Sequence, residues 1–137
     1  MSGEAITGRV ATGIGQGQHF TQLDWARQQF IDRLGIEPFP GTLNMIVHHP
    51  LSTSIWNRLK DMPGIRIENP NNGPQDCDAR CYLVSINGQI DAAIVFPEVA
   101  GYPPDQIEII AATGIRDTLD VCDGDSLSLD VVTRAAE

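Results

Sequence analysis

The sequence predicts a mostly β domain whose strands close into one small barrel beside a single long helix. Apolar segments of strand length recur along the chain with turn residues between them, and only one segment repeats apolar residues at helical spacing. No internal repeat or low-complexity segment divides the 137 residues, of which 42% are hydrophobic. Such a chain can bury one core, so we expect residues 1–137 to form a single domain.

The predicted helix begins at Asp24, which offers an N-cap, and ends at Gly35, which supplies a C-terminal stop. Between them, Trp25, Phe30 and Leu34 recur at the spacing of one helix face. The segment therefore predicts one amphipathic helix that packs against the strands.

The strongest strand signal is a hairpin around Asn87-Gly88, because this pair favours a tight type I′ turn between residues 81–86 and 89–96. Residues 51–62 are ambiguous between a strand and a short helix. The other predicted elements are strands at Ala5–Ala11, 19–23, 42–48, Gln106–Ala111 and 126–132, a loop at 69–78 and a helical turn at 116–119.

The formal net charge of −9 argues against nucleic acid as a partner. Proteins that bind nucleic acid independently of sequence need a basic face that displaces counterions from the phosphate backbone. An acidic protein can still hold a nucleotide locally, through backbone N–H groups, a metal ion or one or two arginines. The charge thus favours small-molecule partners.

The chain offers no membrane partner, because no segment approaches the roughly 18 consecutive apolar residues that span a bilayer. Cys77, Cys81 and Cys122 form an odd set without a C-x-x-C pair, which is typical of reduced thiols rather than of a disulfide framework. We therefore expect a cytoplasmic protein, and we expect it to be a monomer.

A glycine-rich loop, with Gly13, Gly15 and Gly17 at alternate positions, follows the first predicted strand. Glycines leave backbone N–H groups unobstructed, so a phosphate can approach the main chain closely. The loop is neither a P-loop, which needs Gly-Lys-Ser/Thr, nor a dinucleotide fingerprint, which needs a helix directly after it. On these residues alone, a phosphate cradle and a structural turn both remain open.

Thr42 and Asn44 are two residues apart in a predicted strand and therefore project from the same side of it. Both offer neutral oxygens, which suit a magnesium ion that takes its remaining ligands from water and substrate phosphates. A polar strand edge without a ligand is the alternative.

Glu108 is a lone carboxylate inside an apolar strand, and Arg116 follows that strand closely. Glu108 is either a solvent-facing residue or a polar contact for a ligand. Arg116 could neutralise a phosphate, although a surface salt bridge is the more common fate of a single arginine.

Three stretches occur in a fixed order: the glycine loop, LGIEPFPGTLN at residues 34–44 and IEIIA at residues 107–111, followed by Arg116 and an Asp-Gly-Asp turn at residues 123–125. In this combination the sequence resembles the archaeal-type CTP-dependent riboflavin kinases. The resemblance runs from about Gly8 to Val132, and the PFPGTLN stretch is its most specific part.

The resemblance implies a six-stranded cradle-loop barrel, related to RIFT barrels. It further implies transfer of the γ-phosphoryl group of CTP to the ribityl 5′-hydroxyl of riboflavin, which gives FMN and CDP with Mg²⁺. No catalytic base is assigned. The implied site residues are Gly13, Ile14, Gly15, Gln16, Gly17, Gln18, Thr113, Gly114, Ile115 and Arg116 for the nucleotide, Ala100 and Glu108 for the flavin, and Thr42 and Asn44 for the metal.

The chain departs from the family pattern at several positions of the implied site. Gln16 stands where the family usually has Glu, Ala100 where it uses Thr, and Ala112 where it has Pro, while Thr113-Gly114 replaces bulkier residues. Alternatives are therefore a kinase of the same fold that acts on another hydroxylated small molecule, and a non-catalytic sensor of flavin or nucleotide. A third alternative, a DNA-binding barrel, is disfavoured by the net charge.

Overall fold

Seven strands and three α-helices make up the part of the chain that the computed structural model describes, which comprises residues 4–12, 21, 23–70, 78–99 and 101–132. The strands are β1 (Ala5–Ala11), β2 (Leu43–Ile46), β3 (Ile65–Ile67), β4 (Ala79–Ile86), β5 (Ile90–Pro97), β6 (Gln106–Ala111) and β7 (Ser126–Val131). The helices are α1 (Asp24–Gln29), α2 (Pro50–Lys60) and α3 (Ile115–Leu119).

The strands form one antiparallel sheet with the order β3-β4-β5-β6-β2-β1-β7, and an additional pairing of β4 with β7 closes it. Six strands therefore form a closed barrel, which confirms the predicted fold. The short strand β3 lies outside the ring and pairs with residues 79–81 at the start of β4. It was not predicted, because three residues are too few to display an alternating pattern.

The barrel interior is filled by alternate apolar side chains of its strands, because successive residues of a strand point to opposite faces. Helix α2 closes part of this core by adding Trp56 and Leu59. Burying each large apolar side chain contributes about 1.5 to 3 kcal/mol relative to exposure. Strand residues of this core that are almost fully buried are Ile6, Met45, Ile86, Ile94, Ile107, Ile109, Leu127 and Leu129.

A second cluster lies on the opposite face of the sheet, where Ala26 and Phe30 pack against Cys81, Val95 and Ile110. These three strand residues alternate with neighbours that belong to the barrel core, so the helical segment covers the outside of the barrel. The predicted amphipathic helix is thus confirmed, and its apolar face is the one that packs on the strands.

Helix α1 departs from its predicted start by one residue. Leu23 is the N-cap, in an extended conformation and without a side-chain cap, whereas Asp24 lies in the first turn, where its charge is favourable to the helix dipole. The helix continues as a π-helical segment, Phe30–Leu34. It ends at Gly35, whose φ of 71° is the left-handed conformation that the predicted stop requires.

Helix α2 resolves the ambiguity of residues 51–62 and adds a second helix to the one that the sequence predicts. Its buried residues Ser52, Ile55, Trp56 and Leu59 recur at helical spacing. A proline occupies its first turn, and the Nδ1 atom of His49 accepts a hydrogen bond from the backbone N–H of Leu51 at 3.3 Å. No helix in the described ranges is long and apolar enough to cross a membrane.

The predicted hairpin is confirmed: Asn87 and Gly88 have φ values of 51° and 70°, both positive as a type I′ turn requires. The strands at Ala5–Ala11 and Gln106–Ala111 are also found at their predicted bounds, whereas 42–48 shortens to Leu43–Ile46. Most of the predicted strand at 19–23 and most of the loop at 69–78 lie outside the described residues. The two described residues of that predicted strand are not in a strand, because Thr21 is helical and Leu23 is the N-cap of α1.

Candidate functional site

Strands β2 and β6 bring the predicted metal residues close to Glu108, one of the two predicted flavin residues. Their antiparallel register places Asn44 directly opposite Glu108. Leu43 and Met45 are buried in the barrel core, so Thr42 and Asn44 project from the other face, where both are half-buried. The predicted same-side arrangement of Thr42 and Asn44 is therefore a feature of this sheet face.

The carboxylate of Glu108 accepts hydrogen bonds at both of its oxygens. The hydroxyl of Thr42 donates to Oε1 at 3.2 Å, and the hydroxyl of Tyr102 donates to Oε2 at 2.6 Å. The Nε2 amide of Gln106 donates in turn to the Tyr102 oxygen at 3.3 Å. Glu108 is thus half-buried in a polar network, which excludes the interpretation as a plain solvent-facing residue.

Tyr102 is a site residue that the sequence analysis missed. Burial raises the pKa of its phenol, and the hydrogen bond to Glu108 and the charge of that carboxylate raise the pKa further. The phenol therefore stays protonated at neutral pH and remains a donor. One signal could have found it: an aromatic residue with a hydroxyl in a Gly- and Pro-containing loop, six residues before the lone carboxylate.

A cavity of about 230 Å³ is lined by Thr42, one of the two predicted metal residues, and by the second predicted nucleotide stretch, residues 113–116. Residues from two separate predictions therefore line one cavity. The other lining residues are Phe39, Pro40, Gly41, Leu43, Ile109, Ala111, Thr113, Gly114, Ile115 and Asp117. Asn44 and Glu108 are not among its lining residues, and Glu108 connects to the cavity through the Thr42 hydroxyl.

The aromatic ring of Phe39 lines this cavity and packs against Gly114. A Cβ at position 114 would lie 3.2 Å from two carbons of the Phe39 ring, so glycine permits this close approach. The backbone N–H of Phe39 donates to the carbonyl of Ala111 at 2.8 Å, which fixes the turn beside β6. Phe39 itself is 49% exposed, so its ring offers an apolar surface to the cavity.

Arg116 pairs with Asp123, with 2.6 Å between its Nη2 atom and the Asp123 Oδ1 atom. The same nitrogen donates to the carbonyl of Ala11 at 3.4 Å, and Thr12 donates to the other oxygen of Asp123. The hydrogen bonds from Thr12 and Arg116 lower the pKa of Asp123. The salt bridge that the sequence left as the alternative for Arg116 is therefore present, and other donors of the guanidinium remain available for an anion.

The residues on either side of the glycine loop both contact the site. Thr12, before the loop, belongs to the Arg116–Asp123 cluster. Thr21, after it, accepts a hydrogen bond from the backbone N–H of Gly41 at 3.1 Å, beside Thr42. The predicted nucleotide residues Gly13, Ile14, Gly15, Gln16, Gly17 and Gln18, and the predicted flavin residue Ala100, lie outside the described residues.

The donor set around Thr42 and Asn44 fits magnesium. Within the described ranges, no group of three or more His, Cys, Asp or Glu side chains could hold a metal ion. Magnesium needs no such group, because it commonly takes a few protein oxygens and completes its shell with water and substrate phosphates. The Thr42 hydroxyl donates its hydrogen bond to Glu108, so the lone pairs of the Thr42 oxygen remain available for a cation.

Comparison with known proteins identifies relatives that match most of the chain. A riboflavin kinase of Methanosarcina acetivorans is 41% identical over 123 residues, which are 89% of this chain and 51% of that protein. A riboflavin kinase of Methanosarcina mazei is 42% identical over 121 residues, 88% of this chain and 53% of that protein. A riboflavin kinase of Pyrobaculum arsenaticum is 34% identical over 128 residues, 93% of this chain and 60% of that protein.

The chain spans about half the length of these Methanosarcina relatives. A family model named CTP-dep_RFKase, described as domain of unknown function DUF120, matches residues 10–131. That match covers every strand of the closed barrel at least in part, and it covers Thr42, strand β2 with Asn44 and strand β6 with Glu108 in full. The chain therefore belongs to the CTP-dep_RFKase family.

Proposed function

We propose that this chain is a CTP-dependent riboflavin kinase. The observation that carries the proposal is the position of Thr42, which lines the cavity of the second nucleotide stretch and also donates a hydrogen bond to Glu108. A phosphoryl donor and a hydroxyl acceptor must meet at one point, and Thr42 lies between the two predicted binding regions. The family model's name supports CTP, and the names of the relatives support riboflavin.

In the proposed reaction the riboflavin 5′-hydroxyl oxygen bonds to the γ-phosphorus of CTP. The bond between that phosphorus and the bridging oxygen of the β-phosphate breaks, and the hydroxyl proton is released. CDP and FMN are the products. Phosphoryl transfer of this kind depends mainly on positioning and charge neutralisation. The proposed reaction therefore does not require an assigned catalytic base.

At the donor end, we assign the CTP phosphates to Gly13, Ile14, Gly15, Gln16, Gly17 and Gln18 and to Thr113, Gly114, Ile115 and Arg116. The contacts of Thr12 and Thr21 support this assignment, since both flanks of the glycine loop reach the region of the cavity. Arg116 would compensate negative charge there. Phe39 would offer its exposed ring to the apolar part of the nucleotide.

Thr42 and Asn44 would hold Mg²⁺ through their neutral oxygens. When bound, the ion would neutralise charge on the phosphates during transfer. The chain's own contribution is to keep both side chains on one sheet face. The register of β2 with β6 supports this, because Asn44 lies opposite Glu108.

At the acceptor end, Glu108 would accept a hydrogen bond from a ribityl hydroxyl or from the flavin ring N–H, and Ala100 would lie against the flavin. Each carboxylate oxygen has more than one lone-pair site, so Glu108 can accept a ligand donor besides Thr42 and Tyr102. Its half-buried position strengthens such a bond relative to one in water.

We also propose a cytoplasmic monomer that does not bind nucleic acid. The free thiols of Cys81 and Cys122 are in keeping with a reducing compartment. The net charge of −9 supports the lack of affinity for phosphate backbones. Gel filtration with light scattering tests the oligomeric state.

A chromatographic assay of FMN tests the proposed function. Purified protein is incubated with riboflavin, Mg²⁺ and each of the four nucleoside triphosphates, and FMN should form with CTP. Formation of FMN with another triphosphate alone would contradict the assigned donor. Tight riboflavin binding without turnover would favour the sensor. Conversion of CTP to CDP with phosphorylation of a different hydroxylated acceptor would favour a kinase of another substrate.

A further inference from the structure

We propose that Tyr102 is a positioning residue that fixes the Glu108 carboxylate for the acceptor. The inference rests on the proposed function, in which Glu108 contacts the flavin. Its basis is the hydrogen bond from the Tyr102 hydroxyl to the Glu108 Oε2 atom, which is 2.6 Å long. Tyr102 acts through Glu108, so it needs no contact of its own with the reacting atoms.

Two donors fix the orientation of the Glu108 carboxylate. Tyr102 holds Oε2 and Thr42 holds Oε1, so rotation of the carboxylate about its terminal torsion would break both hydrogen bonds. That torsion is otherwise broad and weakly restricted. The remaining lone pairs therefore point in a fixed direction before a ligand arrives, which reduces the ordering cost of binding.

Tyr102 is itself held in place from two sides. Its ring meets Phe96 edge-on with 6.0 Å between ring centroids, and Phe96 meets Trp56 in the same manner at 5.7 Å. The amide of Gln106 donates to the Tyr102 oxygen at 3.3 Å. Because that amide fills an acceptor site, the single phenol hydrogen is directed to Glu108. The barrel core thus supports the donor rigidly.

The Thr42 hydroxyl connects this network to the metal end of the site. Its hydrogen points to Glu108, so the orientation of the carboxylate also determines where the Thr42 lone pairs point. Loss of the Tyr102 hydroxyl should therefore loosen both Glu108 and Thr42. A residue that only packed in the core would have neither effect.

A double-mutant cycle with Tyr102→Phe and Glu108→Ala tests the proposal, because alanine removes both oxygens that accept hydrogen bonds at position 108. Riboflavin affinity is measured at equilibrium by quenching of flavin fluorescence. Tyr102→Phe should weaken riboflavin binding about five-fold, as expected for one lost hydrogen bond. Glu108→Ala should weaken it by about ten-fold or more. The double variant should bind no more weakly than Glu108→Ala alone, because Tyr102 acts only through that carboxylate.

Tyr82→Phe is the matched control, because the Tyr82 hydroxyl donates to the Met62 carbonyl at 2.9 Å and its ring contacts the same Trp56. It should leave riboflavin affinity unchanged. Calorimetry provides a second readout: the Mg²⁺-dependent gain in CTP affinity should fall in Tyr102→Phe and Thr42→Val and be retained in Thr42→Ser.

The possible outcomes separate this proposal from the kinase assignment. A parent protein that binds riboflavin without forming FMN would contradict the proposed kinase reaction. The double-mutant cycle, which measures riboflavin affinity, would still test whether Tyr102 positions Glu108. Tyr102→Phe that binds riboflavin like the parent, or losses that multiply independently in the double variant, would overturn the role of Tyr102 alone. A folded parent without riboflavin affinity would overturn both.

Discussion

Arg116 is a charged residue of the candidate site for which the sequence left two interpretations open. Sequence offered a phosphate contact or a surface ion pair, and the structure contains the ion pair with Asp123 at 2.6 Å. The same cluster includes Thr12, at the start of the glycine loop. The ion pair therefore holds the guanidinium near the proposed phosphate site. It is compatible with the proposed contact between Arg116 and a phosphate.

This cluster predicts an unusual titration of Asp123. Because hydrogen bonds from Thr12 and Arg116 lower its pKa, Asp123 should titrate below the ordinary value of about 3.9. A lowered pKa stabilises the fold above the unfolded pKa, and this contribution is lost as pH falls through the folded value. Arg116→Gln should raise the pKa of Asp123, as measured by carbon-13 NMR of its carboxyl group.

The destabilising effect of Arg116→Gln should accordingly shrink below about pH 4. An Asp123 carboxyl that titrates at its ordinary value in the parent protein would contradict the cluster. High salt should reduce the lowering of the Asp123 pKa, since the Arg116–Asp123 ion pair is exposed to solvent.

Thr42, Asn44 and Glu108 show what sequence can predict about single residues. The i, i+2 spacing placed Thr42 and Asn44 on one strand face, and the break in an apolar strand singled out Glu108. Tyr102 could not be assigned in this way. Its contact depends on a loop folding back onto β6, which is a long-range property that no local pattern encodes.

Among the elements, those with strong local signals were predicted closely. The Asn87-Gly88 turn and strand β6 follow from turn chemistry and apolar patterning. Helix α2 remained ambiguous, because tertiary burial of Ile55, Trp56 and Leu59, more than local preference, determines that it is helical.

Gly8 in β1 lies in close contact with β2, which gives a prediction for the barrel. A Cβ at this position would lie 2.6 Å from the backbone oxygen of Ile46 and 2.8 Å from Cγ of Met45. Backbone cannot move aside as a flexible side chain can, so Gly8→Ala should destabilise the protein by about 1 to 3 kcal/mol. Denaturation in urea measures the loss.

Thr7→Ala is the control for this substitution, because Thr7 is the exposed neighbour of Gly8 in the same strand. It should change stability by no more than about 0.5 kcal/mol. Equal stability of Gly8→Ala and Thr7→Ala would contradict the close approach of β1 and β2. This strand pair also includes the proposed metal ligand Asn44, which lies opposite Ala11.

At the scale of the whole molecule, closure of the barrel brings the site together. The residues of the candidate site come from the β2, β6 and α3 segments and from the loop before β6. The β2 segment is far from the other segments in sequence. Strand patterning predicted the barrel, which the structure confirms. Composition predicted one domain with one core, whereas the buried residues form two clusters, one inside the barrel and one between the barrel and α1. The convergence of Thr42 with residues 113–116 required the strand order, which a single sequence does not specify.

The most direct test of the central claim follows phosphorus from CTP to riboflavin. The 137-residue chain is given CTP labelled at the γ-phosphate, with riboflavin and Mg²⁺. Label should appear in FMN, and Thr42→Val should reduce the transfer by about 100-fold or more, a loss typical of a group that acts in the transition state. Thr42→Val should remain folded, with its stability changed by about 1 kcal/mol. A folded parent that transfers no label to riboflavin, or a Thr42→Val variant that transfers it at the parental rate, would contradict the account.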